Sequence, residues 1–475
     1  MDNKLHIGNL SAILGQFTPH NFGSRLFMER IELETPDNFL VWFHERFHYL
    51  QIVFTPYGHL KWGAYRTFSS EIVETWAKLS ALLKQRKKIP IREYLLIDTP
   101  ESVQLAYNIW IHDLPNEIYK IVEKGVTTYN DMPLFNNLDD STCCPLITLS
   151  DKEYRLRGID IFESFAKFEE AMLGEIITDK SIGALINIDR LSPEYYSALC
   201  FFIENLGAER VIEFPVACEL ALATAHVPSP SSLDAFHRYA PNWRFVKIIE
   251  VLKNLEGLPA IDLNCNKSYF DYANTVLRAC GYETFDEAWL SAEEYANSSD
   301  LSMAEEMKAA IEYKKTHPWM LAYPMYNEHE FLSESFNRFQ PYFTIMNDGV
   351  SYNSSYIRSE ELMLEIHLQA LTQQICGYIS DYCRDSFKLM CGYTYFGLNT
   401  CPHYLKGECD GHIDRDTELP DLVLDEQSNI VCGCTFDMCM KIHNININEI
   451  DIGDMKLVTY SEITDATKKH LAHFQ

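Results

Sequence analysis

The chain has 475 residues, 47% apolar, 13% aromatic and 23% charged, a globular composition with material for a large core and two or three domains. Its 40 Lys and Arg stand against 68 Asp and Glu, a net charge of −28 that repels phosphate backbones and anionic lipid, so neither nucleic-acid nor membrane binding is expected. No apolar run reaches the length of a spanning helix, no secretory signal opens MDNKLHIGNLSAILGQF, and fourteen cysteines then point to thiols and metal ligands rather than disulfides, in a soluble cytoplasmic protein.

Three helix starts share one device. Thr35-Pro36-Asp37, Thr99-Pro100-Glu101 and Ser192-Pro193-Glu194 each offer a hydroxyl cap, a proline at the first helical position and an acid near the positive end of the dipole. They open helices over 36–54, 100–113 and 193–206. Further helical patterns cover 70–87, 159–177, 208–225, 242–255, 268–280, 286–297, 302–316 and 357–382, while strand-like alternation is sparse before residue 340. The PSPSS run at 228–232 is the best internal break. After residue 383 cysteines crowd, and DLVLDEQSNIVCGC reads as two short strands around a polar turn. The expected fold is mainly α: a helical body over 1–227, a second helical lobe over 228–382, and a small cysteine-rich α/β module over 383–475.

The first helix carries the chemistry. In TPDNFLVWFHERFHYLQIVFTPYG, a stop signal at Thr55-Pro56 with Gly58 beyond closes the helix, and Leu40, Phe43, Phe47, Leu50 and Phe54 form one apolar stripe. Val41, Trp42, Ile52 and Val53 make most other faces apolar too, so His44, Glu45 and His48 belong inside or at the floor of a cleft. A bare carboxylate there costs several kcal/mol unless something compensates it. His44 and His48, one turn apart, present their imidazoles from one face and can reach one Zn²⁺ at about 2.0–2.1 Å. Glu45, about 100° further around, can take a proton from a metal-bound water without competing as a ligand. This is the HExxH arrangement of metal-assisted hydrolysis. Its bland alternative is a pair of core histidines bonded to carbonyls.

WFHERFHYLQ resembles the active-site helix of zincin metallopeptidases, and its H-E-x-x-H-Y-L-Q form resembles predicted bacterial metallopeptidases. The resemblance covers about twenty residues. It implies a mononuclear zinc enzyme that cuts peptide bonds, with His44, His48 and a third residue as ligands and Glu45 catalytic. The metzincin continuation, a third histidine shortly after His48, is missing from Tyr49-Leu50-Gln51-Ile52-Val53-Phe54. That leaves a glutamate from another helix, the gluzincin pattern. Glu71 in SSEIVETWAKL, with 22 residues between it and His48, is one candidate. Glu163 in GIDIFESFAKFEE is favoured because Glu163 to Ala166 resembles the glutamate helix of that group. Both sit in polar stripes, Glu71 with Glu74 and Lys78, Glu163 with Asp160, Lys167 and Glu170, that read equally well as solvated faces.

Two other readings use the same residues. Glu45-x-x-His48 is half of a di-iron carboxylate signature, whose second half is absent; the nearest approach is Asp234-x-x-His237, with Glu170, Glu204 and Glu219 as further carboxylates. A binding or regulatory protein with a non-catalytic metal site is the other. In the tail, Cys401 and Cys409 of TCPHYLKGECDGH resemble the first half of a CCCH zinc finger. With two of Cys432, Cys434, Cys439 and His443, they make a candidate structural zinc site. The many acids around it argue for a structural or partner-binding role rather than nucleic-acid reading. The extra lobe and tail also leave room for a regulatory protein partner. His367 and the Glu328-His329-Glu330 triplet read as helix-surface or capping residues. The leading expectation is a zinc peptidase acting on a peptide or protein substrate.

Overall fold

The structure is a computed structural model and describes residues 15–18, 23–26, 29–85, 144–186, 191–224, 233–298, 303–325, 338–341, 343–346 and 349–352, with shorter runs between 366 and 445. It is mainly α. Its contacts divide the chain into two compact units: Met1–Gly63 with Ile109–Pro115 and Asn137–Asp348, and Ala64–Asn108 with Asn116–Asn136 and Gly349–Gln475.

In the first unit, β1 (Gly15–Thr18) pairs antiparallel with β2 (Gly23–Leu26), and β2 runs parallel to a strand at Phe343–Met346. Leu26 and Met346 form a small apolar cluster that Leu33, Val41 and Trp42 cover, so the sheet sits beside the first helix. That helix, α1 (Pro36–Val53), begins with proline at its first position, as its start signal requires. The expected hydroxyl cap is not made. Thr35 Oγ1 donates instead to the Glu32 carbonyl, 3.0 Å away, at the end of a 3₁₀ turn over Arg30–Glu34.

The stop read at Thr55-Pro56 turns out to be a joint. The chain leaves the helix only at Phe54 and Thr55, and Pro56 opens α2 (Pro56–Lys84). Thr55 is the hinge pin: its hydroxyl donates to Gln51 O at 2.6 Å and accepts the Gly58 N–H at 3.0 Å. His59 donates to the Val53 carbonyl at 2.8 Å, satisfying one orphan acceptor of the ending helix. Gly58 is required by close approach, since a Cβ there would stand 2.1 Å from the Ile52 carbonyl oxygen. Although alanine is otherwise the better helix former, Gly58→Ala should lower stability by about 1–3 kcal/mol through this overpacking. A reduced denaturation midpoint would register it.

Two short strands, Leu146–Leu149 and Lys152–Arg155, form an antiparallel hairpin and lead into α3 (Gly158–Thr178). Asp160, fully buried in the first turn, accepts the Arg157 N–H at 2.7 Å and is clamped by the Arg157 guanidinium, also at 2.7 Å. α3 is the helix packed most extensively on α1. Phe165 meets Phe47 edge-on with centroids 5.0 Å apart, and Gly174 lets Leu40 and Leu185 close over the far end. On other flanks, Phe168, Phe202 and Phe245 surround Phe214 with centroids 5.3–6.2 Å away, each fully buried ring worth about 1.5–3 kcal/mol.

The helix expected over 208–225 is split into a 3₁₀ turn at Ala208–Glu213 and a helix at Phe214–Leu222, because Pro215 has no N–H to carry the ladder through. The helix expected over 193–206 opens instead with a 3₁₀ turn at Pro193–Tyr195, without a Ser192 side-chain cap, and is α-helical over Ser197–Leu206. Helices at Pro241–Asn254, Asn266–Cys280, Phe285–Ser298 and Met303–Thr316 fall where their periodicity places them, within a few residues. The helix expected over 100–113 lies outside the described residues, as does most of that over 357–382.

In the second unit, Trp76 is buried and donates to Thr372 Oγ1 at 2.8 Å. His367, read as a surface or capping residue, is instead completely buried. Its Nδ1 accepts the Gly392 N–H at 3.0 Å, its ring meets Phe436 edge-on, and burial lowers its pKa to about 3, which keeps it neutral. The two strands expected in DLVLDEQSNIVCGC are present at Val423–Leu424 and Ile430–Cys432, paired antiparallel and followed by a helix at Thr435–Ile442. Among the described residues no helix is long and apolar enough to cross a membrane.

Candidate metal centre

α1 and α3 bring three groups together. His44 Nε2 stands 3.2 Å from His48 Nε2 and 3.1 Å from Glu163 Oε2, and His48 Nε2 stands 3.3 Å from the same oxygen. They are the set of acidic, histidine or cysteine side chains able to hold a metal ion among the described residues. Donors at 2.0–2.2 Å from a tetrahedral Zn²⁺ lie roughly 3.3–3.6 Å apart. The three atoms therefore match a zinc triangle to within a few tenths of an ångström.

What surrounds the triangle decides which atoms face inward. Gln51 Nε2 donates to the Phe162 carbonyl at 3.0 Å, which orients the amide so that its oxygen accepts from His48 Nδ1 at 2.8 Å. His48 therefore carries its proton on Nδ1 and turns a lone pair toward the centre. On the other ring, Glu170 Oε2 lies 3.0 Å from His44 Nδ1, off the line of a well-aligned hydrogen bond, and its second oxygen takes Lys167 at 2.5 Å. The carboxylate favours a proton on His44 Nδ1 as well. Both Nε2 lone pairs and a carboxylate oxygen then converge. A single proton on His44 Nε2 serves two of the three contacts and leaves His48 Nε2 facing Glu163 acceptor to acceptor. A divalent cation serves all three.

Electrostatics agree. Burial opposes charging of His44, yet Glu163 and Glu170 outweigh it and push the ring up to about 10. Burial raises Glu163, but His48 and His44 hold its carboxyl well below the usual range. Glu170 is likewise lowered against its burial, by His44 and then Lys167. Without a cation the site thus holds a proton on His44 at neutral pH. Metal binding must displace it, so its uptake should release about one proton per ion, and the apparent association constant should rise roughly tenfold per pH unit between about 7 and 10. Calorimetry in buffers of different ionisation enthalpy measures that release.

Glu45 is buried on α1 next to His44 and does not join the converging set. Tyr195, in a 3₁₀ turn at Pro193–Tyr195, places its ring 5.7 Å from His44. Burial, then Glu163 and Glu45, push its hydroxyl pKa far above the usual tyrosine value, so it stays a donor.

The stripe of Asp160, Glu163, Lys167 and Glu170, equally readable as a solvated face, is turned inward: Asp160 and Glu170 are buried and Glu163 nearly so. Glu74 and Lys78 do form an exposed i,i+4 pair, at 3.1 Å, while the Glu71 side chain lies outside the described residues. Of the carboxylates considered for a di-iron site, Glu204 accepts from Ser150 and Glu219 pairs with Lys314 and Tyr269; His237 stacks against Trp243. Cys401 and the side chain of Cys432 lie outside the described residues, and Cys409 and Cys434 are half-buried, so the expected tail zinc site falls largely beyond description. Reading the sequence missed Gln51, Glu170 as partner of His44, and Tyr195. Gln51, three residues past His48, and Glu170, seven past Glu163, each had a spacing that shares a helix face. Tyr195 had no such signal.

Compared with models of known families, with curated proteins and with solved structures, the chain matches none.

Proposed function

We propose that the chain is a zinc-dependent peptidase with His44, His48 and Glu163 as metal ligands and Glu45 as general base. One observation carries the reading: three donor atoms from two helices converge at 3.1–3.3 Å in a buried site, with His48 Nδ1 bonded to Gln51 and His44 Nδ1 beside the Glu170 carboxylate. Bound there, zinc supplies a water whose pKa falls toward about 7 and an electrophile for the scissile carbonyl. Glu45 takes the proton of the attacking water and passes it to the leaving amine. Tyr195, kept protonated, donates to the oxyanion that develops on the carbonyl. Glu170 and Gln51 hold the imidazoles in the tautomer that leaves Nε2 free.

Elemental analysis of purified protein, with and without His48→Ala, tests the metal, and a peptide library tests the reaction. One zinc per chain, lost with His48, together with chelator-sensitive cleavage is expected. Two irons per chain would select the di-iron reading. Chelator-insensitive protein that cleaves nothing would leave a binding role.

A further inference from the structure

α3 has a second working face. Glu163, Lys167 and Glu170 line the side toward the metal centre; Phe168, Glu169, Met172 and Ile176 project from the opposite side, as helical geometry requires of positions so spaced. There they floor a cavity of about 700 Å³, closed on other sides by residues that include Leu258 and Ile261. Its volume lies in the range of pockets for small organic ligands, and its lining is chiefly apolar, as such pockets are. Ile176 and Ile212, each about half exposed, are large apolar side chains at a site open to solvent.

The polar groups of the cavity are accounted for with one exception. Arg210 is spent on Glu213, with contacts of 2.7 and 2.8 Å, and on the Leu252 carbonyl. Glu213 also takes the Tyr272 hydroxyl at 2.6 Å, and the Tyr323 hydroxyl donates to the Ile212 carbonyl. Glu169 is 2% exposed, lines the cavity and, among the described residues, has neither a hydrogen bond nor an ion pair. Burial raises its pKa well above the ordinary carboxyl value, with nothing nearby to bring it down. A buried acid placed this way either keeps its proton or ionises against a cationic occupant.

We propose that this cavity binds a small organic cation, an amine with an apolar body, whose ammonium pairs with Glu169. An anionic ligand is disfavoured: Arg210 is already committed, and the chain's net charge of −28 repels it. A neutral apolar ligand would fill the space and leave Glu169 as it is. The site is separate from the metal centre, so the two stand or fall independently.

The test uses the full-length, metal-loaded protein and titration calorimetry with octylamine and phenethylamine, against octanol and octanoate as matched neutral and anionic probes. The amines should bind, with at least tenfold weaker affinity in Glu169→Gln and in the cavity-filling Met172→Trp. Glu169→Gln removes a buried, uncompensated acid and should fold at least as well as the parent; unchanged zinc content and circular dichroism check this. Octanol or octanoate binding as tightly as the amines, amine affinity unmoved by Glu169→Gln, or no amine binding at millimolar concentration would each overturn the proposal.

Discussion

Glu45→Gln is expected to lower peptide hydrolysis by about 10²–10⁴-fold while leaving zinc at about one ion per chain. The amide keeps the size and the hydrogen-bonding reach of the carboxylate but cannot accept the proton of the attacking water. Because Glu45 stands outside the converging set of His44, His48 and Glu163, its removal takes nothing from the metal. Turnover measured beside metal content separates the two roles. A variant that lost both would make Glu45 a ligand, and one that kept both would remove it from the chemistry.

Glu163→Ala should do the reverse and empty the site. It deletes the one member of the converging set that α3 contributes and leaves two imidazoles on α1 with an open side. Zinc affinity should fall by more than the roughly 10–100-fold typical of losing an outer partner. Glu170→Ala supplies that comparison within the same helix: Glu170 touches His44 Nδ1 rather than the centre, so its loss should weaken zinc by about 10–100-fold and leave the stoichiometry intact at saturating metal. Competition with a chromophoric chelator ranks the three proteins. Equal affinities for Glu163→Ala and Glu170→Ala would refute the assignment of ligand and orienting partner.

Parts of this site were readable in advance because the information was local. A helix from Pro36 with two histidines four apart needs only the 3.6-residue repeat, and α1 spans Pro36–Val53 with both rings meeting at Nε2. The same locality read its end correctly, since α1 stops at Val53 just before Thr55-Pro56, but did not show that Pro56 opens another helix. Proline stops one helix and starts another with equal ease, and Gly58 shows its purpose only once the Ile52 carbonyl is seen against it. His367 failed for a related reason. Its helix spacing carries no record of the Gly392 N–H that donates to its Nδ1 in the core.

By itself, then, the sequence determined the mainly helical character, the limits of α1, and the pairing of His44 with His48 beside Glu45, since all of these follow from periodicity and from capping residues within one turn. Only the tertiary structure decided that Glu163, 119 residues from His44, meets the imidazoles, that Glu170 and Gln51 orient them, and that the charged stripe of α3 faces inward. Spacing along a chain cannot distinguish a charged stripe bound for water from one bound for another helix. That choice rests on whether partners arrive to repay desolvation, and here the partners of Glu163 and Glu170 arrive from α1.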